Sequence, residues 1–282
     1  MKGFRLLSQV YSSLNPFMLH PSYRALMPLP PEQRLARLRD PAFAEQLLAE
    51  TPMQGDEIAL MLTRAFPRFF PLGADAQHTA TSEGAVPDYE PDMTQASVAA
   101  LAQQQGKAPW RVLYEAMMRD DGRGMVYFPV FNYAYGHFDH LRELLESPHT
   151  IPSLGDGGAH CGMICDASMP TYLVSHWTRN RARGPRLPLE FVIKRQAFDT
   201  AALYGLSDRG RIAPGLLADI NVFDPEHLEL RMPRAVRDLP AHGRRLLQDA
   251  QGYAWTFKRG VATFEQGEAT SARPGKLLRA GA

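Results

Sequence analysis

The chain has 282 residues, of which 45% are hydrophobic and 22% charged. That composition argues against disorder and suits one large folded domain or two small ones. Its 31 basic and 30 acidic residues leave a formal charge of +1, so no field of one sign draws nucleic acid or an anionic membrane toward it.

In chain order, residues 1 to about 30 hold a short apolar run and then Pro16, Pro21, Pro28, Pro30 and Pro31. Prolines remove backbone donors, so this stretch reads as a barrel loop rather than a domain start. Leu35 and Leu38, then Phe43, Leu47 and Leu48, predict two short amphipathic helices with proline in their first turns. Residues 73–92 are rich in Gly, Ala, Asp, Thr, Ser and Pro and read as an exposed loop without function. Thr94 is a candidate cap for a helix ending at Gly106, and Trp110, Leu113, Ala116 and Met117 form the stripe of the next helix.

Further on, Met125 to Phe131 reads as an apolar strand, a helix starts near Asp139, and Ile151 to Leu154 reads as a second strand. A strand, helix, strand unit implies parallel strands and a right-handed crossover, the repeat of α/β barrels. Helices follow from Ser168 and Pro170 and from Pro188. Beyond Gly205 the texture turns to β, with a strand over Ala218 to Asp224 and a hairpin over Tyr253 to Glu265. The stretch Ser271 to Ala282 reads as a solvated tail.

The opening Met1-Lys2-Gly3-Phe4-Arg5 places an arginine where an export signal needs an apolar run, and no stretch approaches the roughly 18 apolar residues of a membrane span. The cysteines, Cys161 and Cys165, make neither a disulfide framework nor a zinc ribbon. They read as small buried residues in a cytoplasmic protein with no nucleic-acid or membrane partner.

The sharpest local feature is Leu154-Gly155-Asp156-Gly157-Gly158-Ala159-His160. A carboxylate at the C-terminal end of a barrel strand faces the rim where reactants bind, and glycines let backbone and ligand approach there. An Asp-Gly turn whose carboxylate bonds its own backbone explains the same residues.

That segment is followed by Asp208-Arg209-Gly210-Arg211-Ile212-Ala213-Pro214-Gly215 and by Ala218-Asp219-Ile220-Asn221-Val222-Phe223-Asp224. Together with Asn132-Tyr133 and the stretch from Asp166 to Thr171, the pattern resembles the N-acyl-D-amino-acid deacylase (D-aminoacylase) family of metal-dependent amidohydrolases. The likeness is strongest from about Met125 onward. It implies a zinc-type hydrolysis in which a bound divalent metal makes water a nucleophile near neutral pH and polarises the scissile carbonyl. An aspartate then takes the water's proton and returns it to the leaving amine. Asp156 matches that catalytic role and is also a candidate metal ligand. His160 is a candidate contact for the substrate carboxylate, the alternative being a turn-stabilising histidine.

The resemblance also implies a His-x-His pair on the first barrel strand and further histidines on later strands, yet no two of the nine histidines here are separated by a single residue. The main metal ligands are therefore absent from the sequence. His137 and His140 form a His-x-x-His at a helix start, where exposed polar residues are expected. Arg179, Arg181, Arg183 and Arg186 read as a solvated basic loop, with carboxylate binding as the alternative, and Lys194 and Arg195 read as surface charges.

The architecture so implied is α/β: residues 1–205 as the last strands and helices of a (β/α) barrel, with residues 206–282 as a β-sandwich segment and tail. The functional expectation is the C-terminal part of an amidohydrolase acting on small N-acyl amino acids and inactive alone. It needs a segment that bears the metal ligands, or a homo-oligomer, to cover its open sheet. The alternatives are a non-catalytic remnant or interaction domain, and an amidohydrolase for hydantoin-like or dipeptide substrates.

Overall fold

The structure is a computed structural model that describes residues 5–10, 12, 14–73, 86–153, 158 and 160–278. In chain order, strand β1 (Arg5–Ser8) precedes helices α1 (Pro21–Leu26), α2 (Pro31–Arg39), α3 (Pro41–Ala49) and α4 (Glu57–Arg64). Strand β2 (Phe70–Pro71), helices α5 (Met93–Ala96), α6 (Val98–Gln105) and α7 (Pro109–Gly122), strand β3 (Val126–Pro129) and helix α8 (Asp139–Glu146) come next. Helices α9 (Met169–Ser175), α10 (Leu189–Lys194) and α11 (Thr200–Leu203) complete the helical part. The rest is β4 (Ile220–Phe223), β5 (Glu229–Leu230), β6 (Arg234–Leu239), β7 (Gly243–Leu247), β8 (Ala250–Gln251), β9 (Tyr253–Lys258), β10 (Val261–Glu265) and β11 (Glu268–Ala269).

Local chemistry explains the helix ends. Pro21, Pro31, Pro41 and Pro109 occupy first turns, where a missing N–H costs nothing. The stretch assigned to one helix capped by Thr94 is two: the Asp92 carboxylate accepts from the Thr94 amide to start α5, and the Ser97 hydroxyl accepts from the Ala100 amide to start α6. Gly106, at φ +62°, ends α6 in the left-handed conformation.

The chain's centre is β3, flanked by β1 on one side and β2 on the other. Both pairings are antiparallel, with Leu7 and Phe70 each opposite Tyr127. Period-two alternation sends Tyr127 to one face, into a core with Leu7, Phe70, Tyr172 and Trp177, while Val126 and Phe128 go to the other, into a core with Phe69, Leu101 and Leu113. Both faces are covered, so Val126, Tyr127 and Phe128 are all fully buried; this is why the segment reads as a continuous apolar run.

The parallel barrel unit is corrected. Every strand pairing among the described residues is antiparallel, those residues form no closed barrel, and residues 151–153 lie in no strand. The barrel-loop reading of the first thirty residues also gives way, because β1 pairs with β3 and Pro21 starts α1. Mixed α/β content holds. The β texture after Gly205 is a four-stranded antiparallel sheet, β11-β10-β9-β4, beside the small ladders β5·β8 and β6·β7. Leu230 of β5 and Leu246 of β7, with Leu228 just before β5, enter the core that contains Tyr172. No helix among the described residues is long and apolar enough to cross a membrane.

Candidate functional site

Asp156 lies outside the described residues, as do its neighbours 154, 155, 157 and 159. The segment from His160 onward is held in place. His160 is exposed, adopts φ +48°, and its carbonyl accepts from the Met163 and Ile164 amides at 2.8 and 3.0 Å. The Met163 carbonyl accepts from the Leu7 amide of β1 at 2.9 Å, and the Cys161 carbonyl accepts from the Leu246 amide of β7 at 2.7 Å. Arg244, also on β7, donates to the Gly162 carbonyl and to the Gln9 side chain. Residues 160–164 are therefore wedged between the first strand and a strand more than 230 positions later. Cys161 is half-buried and Cys165 is buried in the core.

A second cluster forms where the sequence reads as empty loop. Tyr89 and Glu90 are buried, the Glu90 side chain keeping 2% exposure. The Arg181 fork holds its carboxylate from Nε and Nη2 at 3.1 and 3.0 Å, His176 Nε2 lies 2.9 Å from the same group, and the Phe138 amide donates at 2.7 Å. Burial opposes the charge of Glu90, but the hydrogen bonds from His176, Arg181 and Phe138 win and hold its carboxyl down at about 2. Burial also lowers His176, against the pull of Glu90. The stable arrangement is thus a Glu90–Arg181 ion pair with a neutral imidazole donating to the carboxylate.

Two local devices aim these side chains. After α9 the chain widens into a π turn over His176–Asn180, and such turns re-aim side chains off the regular helical face. Gly184, at φ +151°, lets the backbone pass the Arg181–Asp139 contact; a Cβ there would lie 2.7 Å from both Arg181 Nη2 and Asp139 Oδ1. His176 stacks on Tyr172 with ring centres 4.5 Å apart, and Arg181 sits 4.8 Å over Trp177. Arg183 Nη1 reaches the carbonyls of Glu90, Pro91 and Gly136 at 3.1, 2.9 and 2.8 Å and the Tyr133 hydroxyl at 3.0 Å. A cleft of about 480 Å³ opens beside the cluster, lined by Asp88, Tyr172, His176, Arg183 and Glu229.

The arginine run is therefore not a solvated loop: the Arg181 side chain has 0% exposure, and Arg179 pairs with Glu229 at 2.8 Å. Arg195 is corrected too, being buried with bonds to the carbonyls of Leu145, Ser147 and Thr150, whereas Lys194 is exposed as expected. The stretch 86–92 is structural and not an empty loop. Its signal, a glutamate between Tyr89 and Pro91, is too short for any periodicity to reveal.

Among the described residues no three His, Cys, Asp or Glu side chains converge as metal ligands. His137 Nδ1 faces Asp139 at 3.3 Å at the start of α8, and His140 packs edge-on to Tyr135. Tetrahedral or catalytic metal sites draw three or four protein ligands together, so the described residues by themselves do not fit a metal.

Comparison with known proteins gives likenesses to deacylases and D-aminoacylases. The N-acyl-D-glutamate deacylase of Alcaligenes xylosoxydans xylosoxydans is 34% identical over 122 residues, covering 42% of this chain and 23% of that protein. A D-aminoacylase structure concerned with the role of its binuclear metal centre is 20% identical over 62% of this chain and 33% of its own, with a TM-score of 0.35. A D-aminoacylase mutant in complex with copper chloride is 18% identical over 77% of this chain and 39% of its own, with a TM-score of 0.38. The chain thus spans about a quarter of the curated relative and between a third and two-fifths of the solved structures. The profile of the Amidohydrolase family matches residues 3–262, and by that match, which takes in the glycine-rich segment, the buried glutamate and strands β4 and β9 of the terminal sheet, the chain belongs to the amidohydrolase family.

Proposed function

We propose that this chain is the part of a metal-dependent amidohydrolase that bears the catalytic carboxylate, hydrolysing the amide bond of N-acyl-D-amino acids. Asp156 takes the proton of the attacking water and returns it to the leaving amine, and His160 meets the substrate. The family match over residues 3–262 carries this reading. The deacylase relative favours an acidic D-amino acid as the first substrate to try. In this reading residues 1–205 belong to the barrel and residues 206–282 to the β-sandwich, in a cytoplasmic enzyme.

The metal, zinc in the first instance, is held mainly by ligands that are not recognisable in this sequence and that a second polypeptide segment supplies. Asp156 adds one ligand to that set. A non-catalytic interaction domain is the second reading, and the lack of a three-ligand cluster among the described residues favours it.

The test is to follow release of D-glutamate from N-acetyl-D-glutamate with added zinc. The chain is assayed alone and after co-expression with an amidohydrolase segment carrying the His-x-His strand. Activity that appears only in the complex supports the proposal. A folded complex that releases no amine refutes it in favour of the interaction domain, and ring opening of a hydantoin in its place moves the substrate class.

A further inference from the structure

The cleft of about 480 Å³ beside the Glu90 cluster has the size of a small-molecule site, and the deacylase reading makes no use of it. Two carboxylates on its wall are already compensated, Glu90 by Arg181 at 3.0 Å and Glu229 by Arg179 at 2.8 Å. Asp88 has no such partner among the described residues. The arginine on the same wall, Arg183, spends Nη1 on the carbonyls of Glu90, Pro91 and Gly136 and turns Nη2 toward Asp92 at 3.9 Å. One Asp88 oxygen accepts from the Glu90 amide at 2.8 Å, and the other is left to the cleft. The surrounding protein desolvates this carboxyl and raises it from the usual carboxylate range, although the Glu90 amide, His176 and Arg183 pull the other way.

Two more groups reach the cleft from the end of α9. The His176 side chain keeps 10% exposure and spends Nε2 on Glu90, so in the neutral ring Nδ1 is a bare acceptor. Ser175, 3% exposed, lines the cleft beside it. Among the described residues neither the Ser175 hydroxyl nor His176 Nδ1 has a hydrogen-bond partner, and neither atom is sealed from solvent. Polar groups placed so deeply ordinarily meet a partner.

We propose that this cleft binds a small primary ammonium ion, with its charge on Asp88 and its N–H groups donated to Asp88, to His176 Nδ1 and to the Ser175 hydroxyl. An ammonium carries three N–H donors on a compact charge, which suits one unpaired carboxylate flanked by two neutral acceptors. A divalent metal is a poorer occupant, because no third His, Cys, Asp or Glu joins Asp88 and His176 as a ligand among the described residues. The site ties the segment before α5 to the end of α9, and it stands or falls independently of the deacylase reading.

The experiment titrates the full chain, isotope-labelled at the histidine rings, with n-butylamine and with n-butanol near pH 7.5, where the amine is charged. We expect saturable binding of the amine, at least about tenfold weaker binding of the alcohol, and a shift of the His176 Nδ1 resonance as that nitrogen takes up a hydrogen bond. Asp88→Asn keeps an acceptor for the Glu90 amide while removing the charge; it should lose about tenfold or more in amine affinity and bind the alcohol as the parent does. Ser175→Ala should weaken the amine several-fold. No saturable binding of the amine, equal binding of amine and alcohol, a His176 resonance unmoved at saturation, or an Asp88→Asn variant that binds the amine as the parent does would each overturn the proposal.

Discussion

The fork of Arg181 closes on the carboxylate of Glu90 across 91 positions of sequence, with hydrogen bonds of 3.1 and 3.0 Å and side-chain exposures of 0% and 2%. Removing one partner leaves a buried charge alone, so Arg181→Met should cost about 3–5 kcal/mol. The urea midpoint of the variant checks this, and a change below about 1 kcal/mol would mean that water reaches Glu90 freely. Replacing both partners, Glu90→Met with Arg181→Met, should cost less than the sum of the single changes.

Acid should unfold the chain in two stages. Burial lowers His20 and His176 from their ordinary value near 6.5. A depressed folded value means that the unfolded chain binds protons first, so stability is complete above about 6.5 and falls as pH drops through the folded values. Glu90, held at about 2 against an ordinary 4.5, then adds a loss on the order of 3 kcal/mol between about pH 4.5 and 2. Chemical denaturation from pH 8 to about pH 2 measures both stages. Glu90→Gln should flatten the lower one.

Gly184 is where the backbone conformation and the ion-pair cluster meet. Gly184→Ala places a methyl 2.7 Å from Arg181 Nη2 at φ +151°, and should destabilise the fold by about 1–3 kcal/mol. Gly275, where a Cβ meets nothing within 4 Å, is the matched control, and Gly275→Ala should shift the thermal midpoint by less than a degree or two.

Arg195, directly after α10, bonds to the carbonyls at the end of α8 and beyond, at Leu145, Ser147 and Thr150. Arg195→Met should leave those acceptors short of donors at a cost of about 1–3 kcal/mol. Hydrogen exchange should report the loss locally, as faster exchange of amides in α8, and unchanged exchange there would contradict this role.

How much of this was legible in the sequence depends on the range of each signal. Proline at the starts of α2 and α3, Gly106 at the end of α6, and the hairpin of β9 and β10 act within a few residues and read correctly. Strand direction is set by partners far along the chain, and the pairing of β1 with β3 joins residues 5–8 to 126–129; nothing local announces it, so the parallel unit failed. The buried arginines failed for a related reason. A charged run looks solvated until Glu90, some ninety residues upstream, is placed against it. The family, by contrast, was legible from Gly155 to His160 and the downstream Gly215, Ala218 and Asp219, and the match over residues 3–262 agrees.

The claim at the centre is that residue 156 is the group that moves the proton. In the complex with a segment that supplies the metal ligands, the turnover rate of Asp156→Asn should be set against that of the parent, with N-acetyl-D-glutamate as substrate. A fall of about 10²–10⁴-fold, with KM little changed, is the result the account predicts. A rate within about twofold of the parent would contradict it, because an asparagine cannot accept the proton.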